Sequence, residues 1–334
     1  MKFNVLLYEP IHEEGMRILQ ERCRVILADS VEEPRLLERV GEIDGIIIRA
    51  KGAVTRRIME AAPRLKVVGR HGVGLDNVDL KAAAEMGIRV VYTPQANAQS
   101  VAEHFTALVL ALAKRLFPAH RALCSGRFQY RYEVRTVELQ GKILGVLGFG
   151  RIGQATARIC KRGFGMEVLY YDVVQYPELE EELGVQRVEL SALFREADVI
   201  SINLPLLPET RGLVNAELIR TMKPSGLLIN MARGPIWREV DVVRALREGW
   251  IAGAAADVFE EEPPSVDNPL LRLENFIGTP HMAAHSEEAM VRMSMVAKDI
   301  LAVLEGKEPE FPVPFSLYPP GCSARGAGDE GSKV

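Results

Sequence analysis

A chain of 334 residues has room for about two domains, and 48% apolar with 26% charged residues is the composition of a globular protein. A formal net charge of −4 argues against nucleic acid or an anionic membrane as the main partner. No run approaches the roughly 18 apolar residues of a membrane span. The opening MKFNVLLYEP reads as a first strand and not as a signal peptide. Cys23, Cys124, Cys160 and Cys322 lie far apart with no C-x-x-C spacing. They are expected to be reduced thiols in a cytoplasmic protein without a metal site.

Short β-rich runs alternate with amphipathic stretches along the chain. Val5–Tyr8, Val25–Leu27, Gly45–Arg49, Leu65–Gly69 and Val90–Tyr92 read as strands. Glu13–Glu21, Pro34–Val40, Thr55–Ala61 and Leu80–Met86 read as the helices between them. The strands are apolar on both faces, which predicts a parallel sheet covered by helices on each side. Right-handed crossovers then give an open doubly wound α/β fold. A long helical stretch runs from Ser100 to about Cys124, with Pro118 as its expected kink. It suits a buried helix or a subunit contact. A polar, Arg-rich loop over 127–135 follows. A second β-α series begins at Lys142, with strands near Ile143–Leu147, Glu167–Tyr171, Val199–Ile202, Gly226–Asn230 and Ile251–Asp257. A last helix is expected from Ser286 to about Glu305. Residues 318–334 are rich in Gly, Pro, Ser and charge, and read as a disordered tail.

The strongest local signal is Gly148-Phe149-Gly150-Arg151-Ile152-Gly153, a G-x-G-x-x-G turn directly after a strand and before a helical pattern. Gly148 permits the tight turn, Gly150 lets the backbone approach a pyrophosphate, and Gly153 allows close helix–strand packing. The helix N-terminus then offers free N–H groups to the phosphates. Asp172 ends the next strand, 24 positions after Gly148. A carboxylate there accepts from ribose hydroxyls and repels a 2′-phosphate. Val173-Val174-Gln175 supply no Arg to neutralise one, so NAD is expected over NADP. Three further segments end or follow apolar runs: Asn230–Gly234, Asp257–Pro263 and Thr279-Pro280-His281. Ligands of open α/β sheets bind outside the carboxyl ends of strands, so these segments should converge.

With these motifs in place, the chain resembles the D-isomer-specific 2-hydroxyacid dehydrogenase family. Further matching stretches are Gly72–Asp79 (GVGLDNVD), Asn97–His104 (NAQSVAEH) and Ala197–Asn203 with Pro205. The resemblance extends to about residue 315. Within the family it is greatest to the D-3-phosphoglycerate dehydrogenases of the short form, which lack a C-terminal regulatory domain. The resemblance implies two doubly wound parallel-sheet domains: a flavodoxin-like substrate domain (1–101 with 286–317) and a Rossmann NAD domain (102–285), with a cleft that closes between them.

The resemblance also implies roles. Arg233 would hold the 2-keto acid carboxylate and polarise its keto oxygen, since a planar guanidinium can do both. His281 would be the acid/base, because imidazole titrates near neutral pH. Glu262 would be its carboxylate partner, preferred to Glu260 and Glu261 because it directly precedes Pro263 as in the family pattern. Backbone amides of Gly72, Val73 and Gly74 would hold the substrate carboxylate. Cofactor contacts would involve Val73, Gly148, Gly150, Arg151, Ile152, Gly153, Asp172, Leu204, Met231, Ala232, Arg233, Asp257, His281 and Ala284, with Asp257 accepting from the nicotinamide carboxamide. One departure is Trp237-Arg238, where the family continues from a hydrophobic pair into Asp or Asn.

The substrate is less specified. Arg49 and Lys51, with Arg70, His71 and Arg131, could neutralise a phosphate, which fits 3-phosphoglycerate. Solvated or structural roles for these cations stand equally. Hydroxypyruvate or glyoxylate reduction is an alternative. So is a non-catalytic NAD(H)-sensing protein, since co-repressors share the fold and even these residues. The apolar helix after Ser100 suggests a homodimer through the NAD domain.

Overall fold

The computed structural model describes residues 2–319 and Cys322. The tail expected over 318–334 lies outside the described residues except for Tyr318, Pro319 and Cys322, and Tyr318 stacks on Phe315 at 5.8 Å. The chain divides into two compact units, Met1–Asn97 with Ser286–Val334, and Ala98–His285. The first division falls at 97/98 and not at 101/102, because the long helix belongs whole to the second unit.

In the first unit β1 (Phe3–Leu7), β2 (Cys23–Leu27), β3 (Gly45–Ile48), β4 (Val67–Arg70) and β5 (Arg89–Val91) form one parallel sheet in the order β2-β1-β3-β4-β5. That is the flavodoxin-type order. Val5, Ile47 and Val67 face the helix Val296–Leu304 through Val296 and Ile300, while Leu6, Ile46 and Val68 fill the opposite core. Both faces are covered, which is why the strands show no polar alternation. The last helix is two helices, Glu287–Ser294 and Val296–Leu304.

The second unit holds β6 (Ile143–Leu147), β7 (Glu167–Tyr171), β8 (Gln186–Arg187), β9 (Val199–Ile202), β10 (Leu227–Asn230), β11 (Gly253–Ala256) and β12 (Phe276–Gly278). They form a parallel sheet in the order β12-β11-β10-β9-β6-β7-β8. The chain first builds outward from β6 through β7 to β8, then returns to β9 on the other side. The switch point is therefore the carboxyl end of β6 beside β9, where such sheets bind dinucleotides. The edge strand β8 has two exposed residues, too few to leave a periodic signal.

The stretch after Ser100 breaks earlier than expected. The helices are Ala98–Ala113 and Leu116–Cys124, and the chain turns at Arg115, whose φ is 54°. Pro118 falls in the first turn of the second helix, where a missing N–H costs nothing, so it does not kink the chain. The first helix is consumed internally: Val101, Phe105, Leu108 and Val109 share a core with Ala157 and Cys160 of the helix Arg151–Phe164. The Trp237-Arg238 departure is absorbed locally. Trp237 is fully buried among Val214, Ile236 and Val242, and Arg238 lies at the surface 3.6 Å from Asp241.

Candidate active site

The glycine turn leaves β6 as its spacing requires. Gly148 has φ 93°, and a Cβ on it would lie 2.9 Å from the Asn203 carbonyl. A Cβ on Gly153 would lie 2.3 Å from the Gly148 oxygen, so helix and turn can touch only through glycine. A Cβ on Gly150 meets nothing within 4 Å, which leaves its backbone open to a ligand. The helix Arg151–Phe164 starts here, so the N–H groups of its first turn, including those of Arg151 and Ile152, have no helical partner. Asp172 at the end of β7 reaches back to the turn. Its Oδ2 accepts from the Phe149 N–H at 2.6 Å and its Oδ1 from the Val174 N–H at 3.0 Å. Each oxygen keeps a lone pair for a ribose hydroxyl. At the end of β9, beside Leu204, the Asn203 Oδ1 atom is buried without a hydrogen-bond partner. An open cradle, a carboxylate and an orphaned acceptor around one switch point fit a dinucleotide.

Arg187 was not apparent as part of this region. Its Nε and Nη2 atoms bond the Asp172 carbonyl at 3.1 and 3.0 Å. It comes from the edge strand β8, 15 residues on, beyond the segment in which an Arg was sought.

The ends of β10, β11 and β12 carry the three remaining segments, and all lie in the second unit. Asn230, fully buried, accepts from the Ala232 N–H at 3.0 Å and donates to the Arg233 carbonyl at 2.9 Å. That bond pair shapes the loop carrying Arg233. Met231 and Ala232 are buried there, and their N–H groups bond Ile202 O and Asn230 Oδ1. Gly234 follows, and a Cβ on it would lie 1.9 Å from the Phe259 carbonyl carbon. Only glycine lets the Arg233 loop rest on the Asp257–Glu262 loop. Glu260 and Glu239 lock the same junction, each accepting the other's N–H at 2.9 and 2.7 Å. Glu260 is thus a brace and not merely a solvated neighbour.

Glu262 Oε2 lies 2.7 Å from His281 Nδ1, and its Oε1 accepts from the Phe259 N–H at 3.0 Å. Burial pushes the Glu262 carboxyl up. The His281 hydrogen bond and charge, the Phe259 N–H and the Arg233 charge outweigh this and hold it below its ordinary value. Arg233, Glu262 and His281 are therefore one electrostatic group. His281 has φ 50°, a left-handed conformation that costs a non-glycine residue about 1–2 kcal/mol. Its backbone is held by the surrounding structure against local preference.

Asp257 carries structural bonds besides its expected role. It is buried, and its carboxylate already accepts from Thr279 Oγ1 (2.5 Å), Met282 N–H (2.9 Å) and Ala283 N–H (2.8 Å). It binds the loop carrying His281 first, with one acceptor position left for a ligand. Ala284 follows directly on that loop.

In the first unit, the Gly72 loop follows β4. Arg70 wraps it, donating to the carbonyls of His71 and Gly74, each at 2.5 Å. The Gly72 N–H donates to Thr93 Oγ1 at 3.0 Å, so this amide is not open to substrate. Those of Val73 and Gly74 have no partner among the described residues. Arg49, just past β3, donates to the Pro10 carbonyl and lies 3.7 Å from the Met290 sulfur, while Lys51 is exposed.

An open parallel sheet with a glycine turn at its switch point, a carboxylate bonded to that turn and an Arg–Glu–His group at neighbouring strand ends is the arrangement of a dinucleotide-binding oxidoreductase fold. Residues 106–283 match the model of the D-isomer specific 2-hydroxyacid dehydrogenase NAD binding domain. The chain is 43% identical over 91% of its length to D-3-phosphoglycerate dehydrogenase of Methanocaldococcus jannaschii, of which it spans 58%. It is 37% identical over 92% of its length to glyoxylate reductase of Korarchaeum cryptofilum, of which it spans 95%. D-Lactate dehydrogenase of Aquifex aeolicus, solved with NAD and lactic acid, superimposes with a TM-score of 0.82 at 30% identity, over 91% of this chain and 96% of that one. The chain belongs to the D-isomer-specific 2-hydroxyacid dehydrogenase family, and its second unit is the NAD-binding domain of that family.

Proposed function

We propose that this protein interconverts a D-2-hydroxy acid and its 2-keto acid with NAD. The observation that carries the proposal is the 2.7 Å Glu262–His281 pair beside Arg233. A carboxylate-paired imidazole with a guanidinium close enough to act on the same carboxylate supports that reading. Bound NAD supplies the chemistry of hydride acceptance from the substrate carbon. Arg233 binds the substrate carboxylate and stabilises charge on the C2 oxygen. His281 takes the hydroxyl proton in oxidation and returns it in reduction. Glu262 fixes the ring through Nδ1, leaving Nε2 for the substrate, and keeps the imidazolium charge compensated. The Val73 and Gly74 amides add hydrogen bonds to the carboxylate.

Gly148, Gly150, Gly153 and the N–H groups of Arg151 and Ile152 would hold the pyrophosphate, and Asp172 the ribose. Leu204, Met231, Ala232, Asp257 and Ala284 would line the nicotinamide side. The carboxylate at Asp172 favours NAD over NADP.

Among substrates, 3-phosphoglycerate is favoured by the exposed Lys51 and by Arg49, which can neutralise a phosphate, and by the identity to the Methanocaldococcus enzyme. Glyoxylate or hydroxypyruvate reduction is the second reading, favoured by the nearly full-length match to glyoxylate reductase. Absorbance of NADH, followed with a panel of 2-hydroxy and 2-keto acids in both directions, separates them. Turnover of 3-phosphoglycerate well above glycerate is expected. Tight NADH binding without turnover of any acid points instead to an NAD(H)-sensing protein.

The same unit supports a homodimer, by a different segment from the buried helix Ala98–Ala113. Leu116, Phe117, Leu123, Phe128 and Tyr132 are 50–71% exposed within one short stretch. Beside Phe117 lies a cavity of about 410 Å³ also lined by Val137, Leu139 and Ile277. An apolar surface of this kind marks a partner face, here a second copy. Light scattering should give twice the chain mass, and Phe128→Glu should give a monomer.

A further inference from the structure

The motif Asn97–His104 holds no residue of the Arg–Glu–His group, yet it touches the loop that carries His281. Ser100 and His104 stand one turn apart on the helix Ala98–Ala113, so they project from one face. Ser100 Oγ donates to the Ala283 carbonyl at 2.6 Å. His104 Nε2 lies 3.0 Å from Thr279 Oγ1, which lies 2.5 Å from Asp257 Oδ1. Asp257 then accepts from the N–H groups of Met282 and Ala283, and its carbonyl accepts the His281 N–H at 2.8 Å.

The donor direction in this chain is determined by its end. An ionised carboxylate only accepts, so the Thr279 hydroxyl must donate to Asp257. That uses its single proton, so Thr279 Oγ1 must accept, and His104 must carry a proton on Nε2. The chain runs His104 → Thr279 → Asp257, and its last member holds the Thr279 hydroxyl before His281 and the N–H groups of His281, Met282 and Ala283. The left-handed φ of 50° at His281 lies within this bonded segment. Removing the Thr279 hydroxyl leaves a buried carboxylate oxygen with one donor fewer and frees the segment 279–283 to relax.

We propose that His104 and Thr279, acting through Asp257, are positioning residues for His281: they set the ring where it can exchange a proton with substrate, without touching substrate themselves. The proposal rests on the dehydrogenase reading above for its kinetic consequence, and on geometry alone for its structural one.

The test uses the full chain with Thr279→Val, which keeps the side-chain shape, and His104→Leu, with His104→Gln restoring an N–H donor. In Thr279→Val and His104→Leu, kcat should fall about tenfold while KM for NADH and for the acid stays within about twofold. His104→Gln should recover most of the loss. Nitrogen-15 spectra of the histidine rings should show the His281 Nδ1 signal displaced in the two deleting variants and restored by Gln. Parental kcat together with an unmoved His281 signal in both deleting variants overturns the proposal. If Thr279→Val fails to fold by thermal melting, the His104 pair of variants decides. If the parent protein turns over no acid, the dehydrogenase reading fails by itself, and the His281 signal still decides the positioning.

Discussion

The strand ends of the two units differ in which polar groups are anchored to the backbone. Those of the second unit carry carboxylates and amides whose bonds run into the backbone: Asp257 to the 279–283 segment, Asn230 to the Arg233 loop, Asp172 to the glycine turn. Those of the first unit carry the cations Arg49, Lys51 and Arg70 beside the Glu9 carboxylate, which accepts the Lys51 N–H. Arg70 and Arg49 are bonded to main-chain carbonyls, and Lys51 is exposed. Reaction geometry demands groups held to within a fraction of an ångström, and side chains bonded to backbone meet that demand. Recognition of a charged substrate tail tolerates a flexible cation such as the exposed Lys51. On the proposed function, chemistry and cofactor would belong to the second unit and the choice of substrate to the first.

The largest effect should come from the second unit. His281→Ala is expected to lower kcat about a thousandfold with NADH fluorescence titration unchanged. Lost NADH binding would show that the residue serves the cofactor instead. Next comes the first unit: Lys51→Ala should raise KM for 3-phosphoglycerate about tenfold and leave glyoxylate kinetics alone. An equal change for both acids would break the division of labour. Asp172→Ala should shift the ratio of NAD to NADP use about tenfold toward NADP, with no change in acid preference. Arg187, already bonded to the Asp172 carbonyl, stands ready to meet a 2′-phosphate once the carboxylate is gone.

The smallest effect concerns stability. The folded Glu262 carboxyl titrates below its ordinary value of 4.5. Its contribution is therefore complete above about pH 4.5 and is lost as pH falls through the lower folded value. Because the pair is partly exposed, Glu262→Gln should lower the melting temperature by only about 1–2 °C at pH 7. The gap to the parent should close in melts taken below about pH 4.5. A gap that widens with acid would mean that the carboxylate is not stabilised by its partners.

Much of the site was legible before any fold was known, since it consists of residue types bound to sequence position. The glycine turn has one spacing, and the structure gives each of its three glycines a distinct contact environment. Arg233, Glu262 and His281 were legible through resemblance, and the structure brings them together. Gly234 lay inside a quoted motif, but its neighbour Phe259 is 25 residues away, so no local pattern could reveal the contact. Arg187 and His104 were invisible as site groups for the same reason. The Gly72 amide was expected to face substrate, and is instead bonded to Thr93, which lies on the segment after β5.

By itself, the sequence determined the alternation of strands and helices, the burial of both sheet faces and the glycine turn. These follow from side-chain periodicity and from the chemistry of single residues, and both are local. Only the tertiary structure decided which donors were already engaged, where the long helix breaks, and what holds His281 in an unfavourable backbone conformation. Those depend on hydrogen bonds between segments up to about 180 residues apart, such as Ser100 to Ala283, which form only when the sheet has set its strand ends side by side.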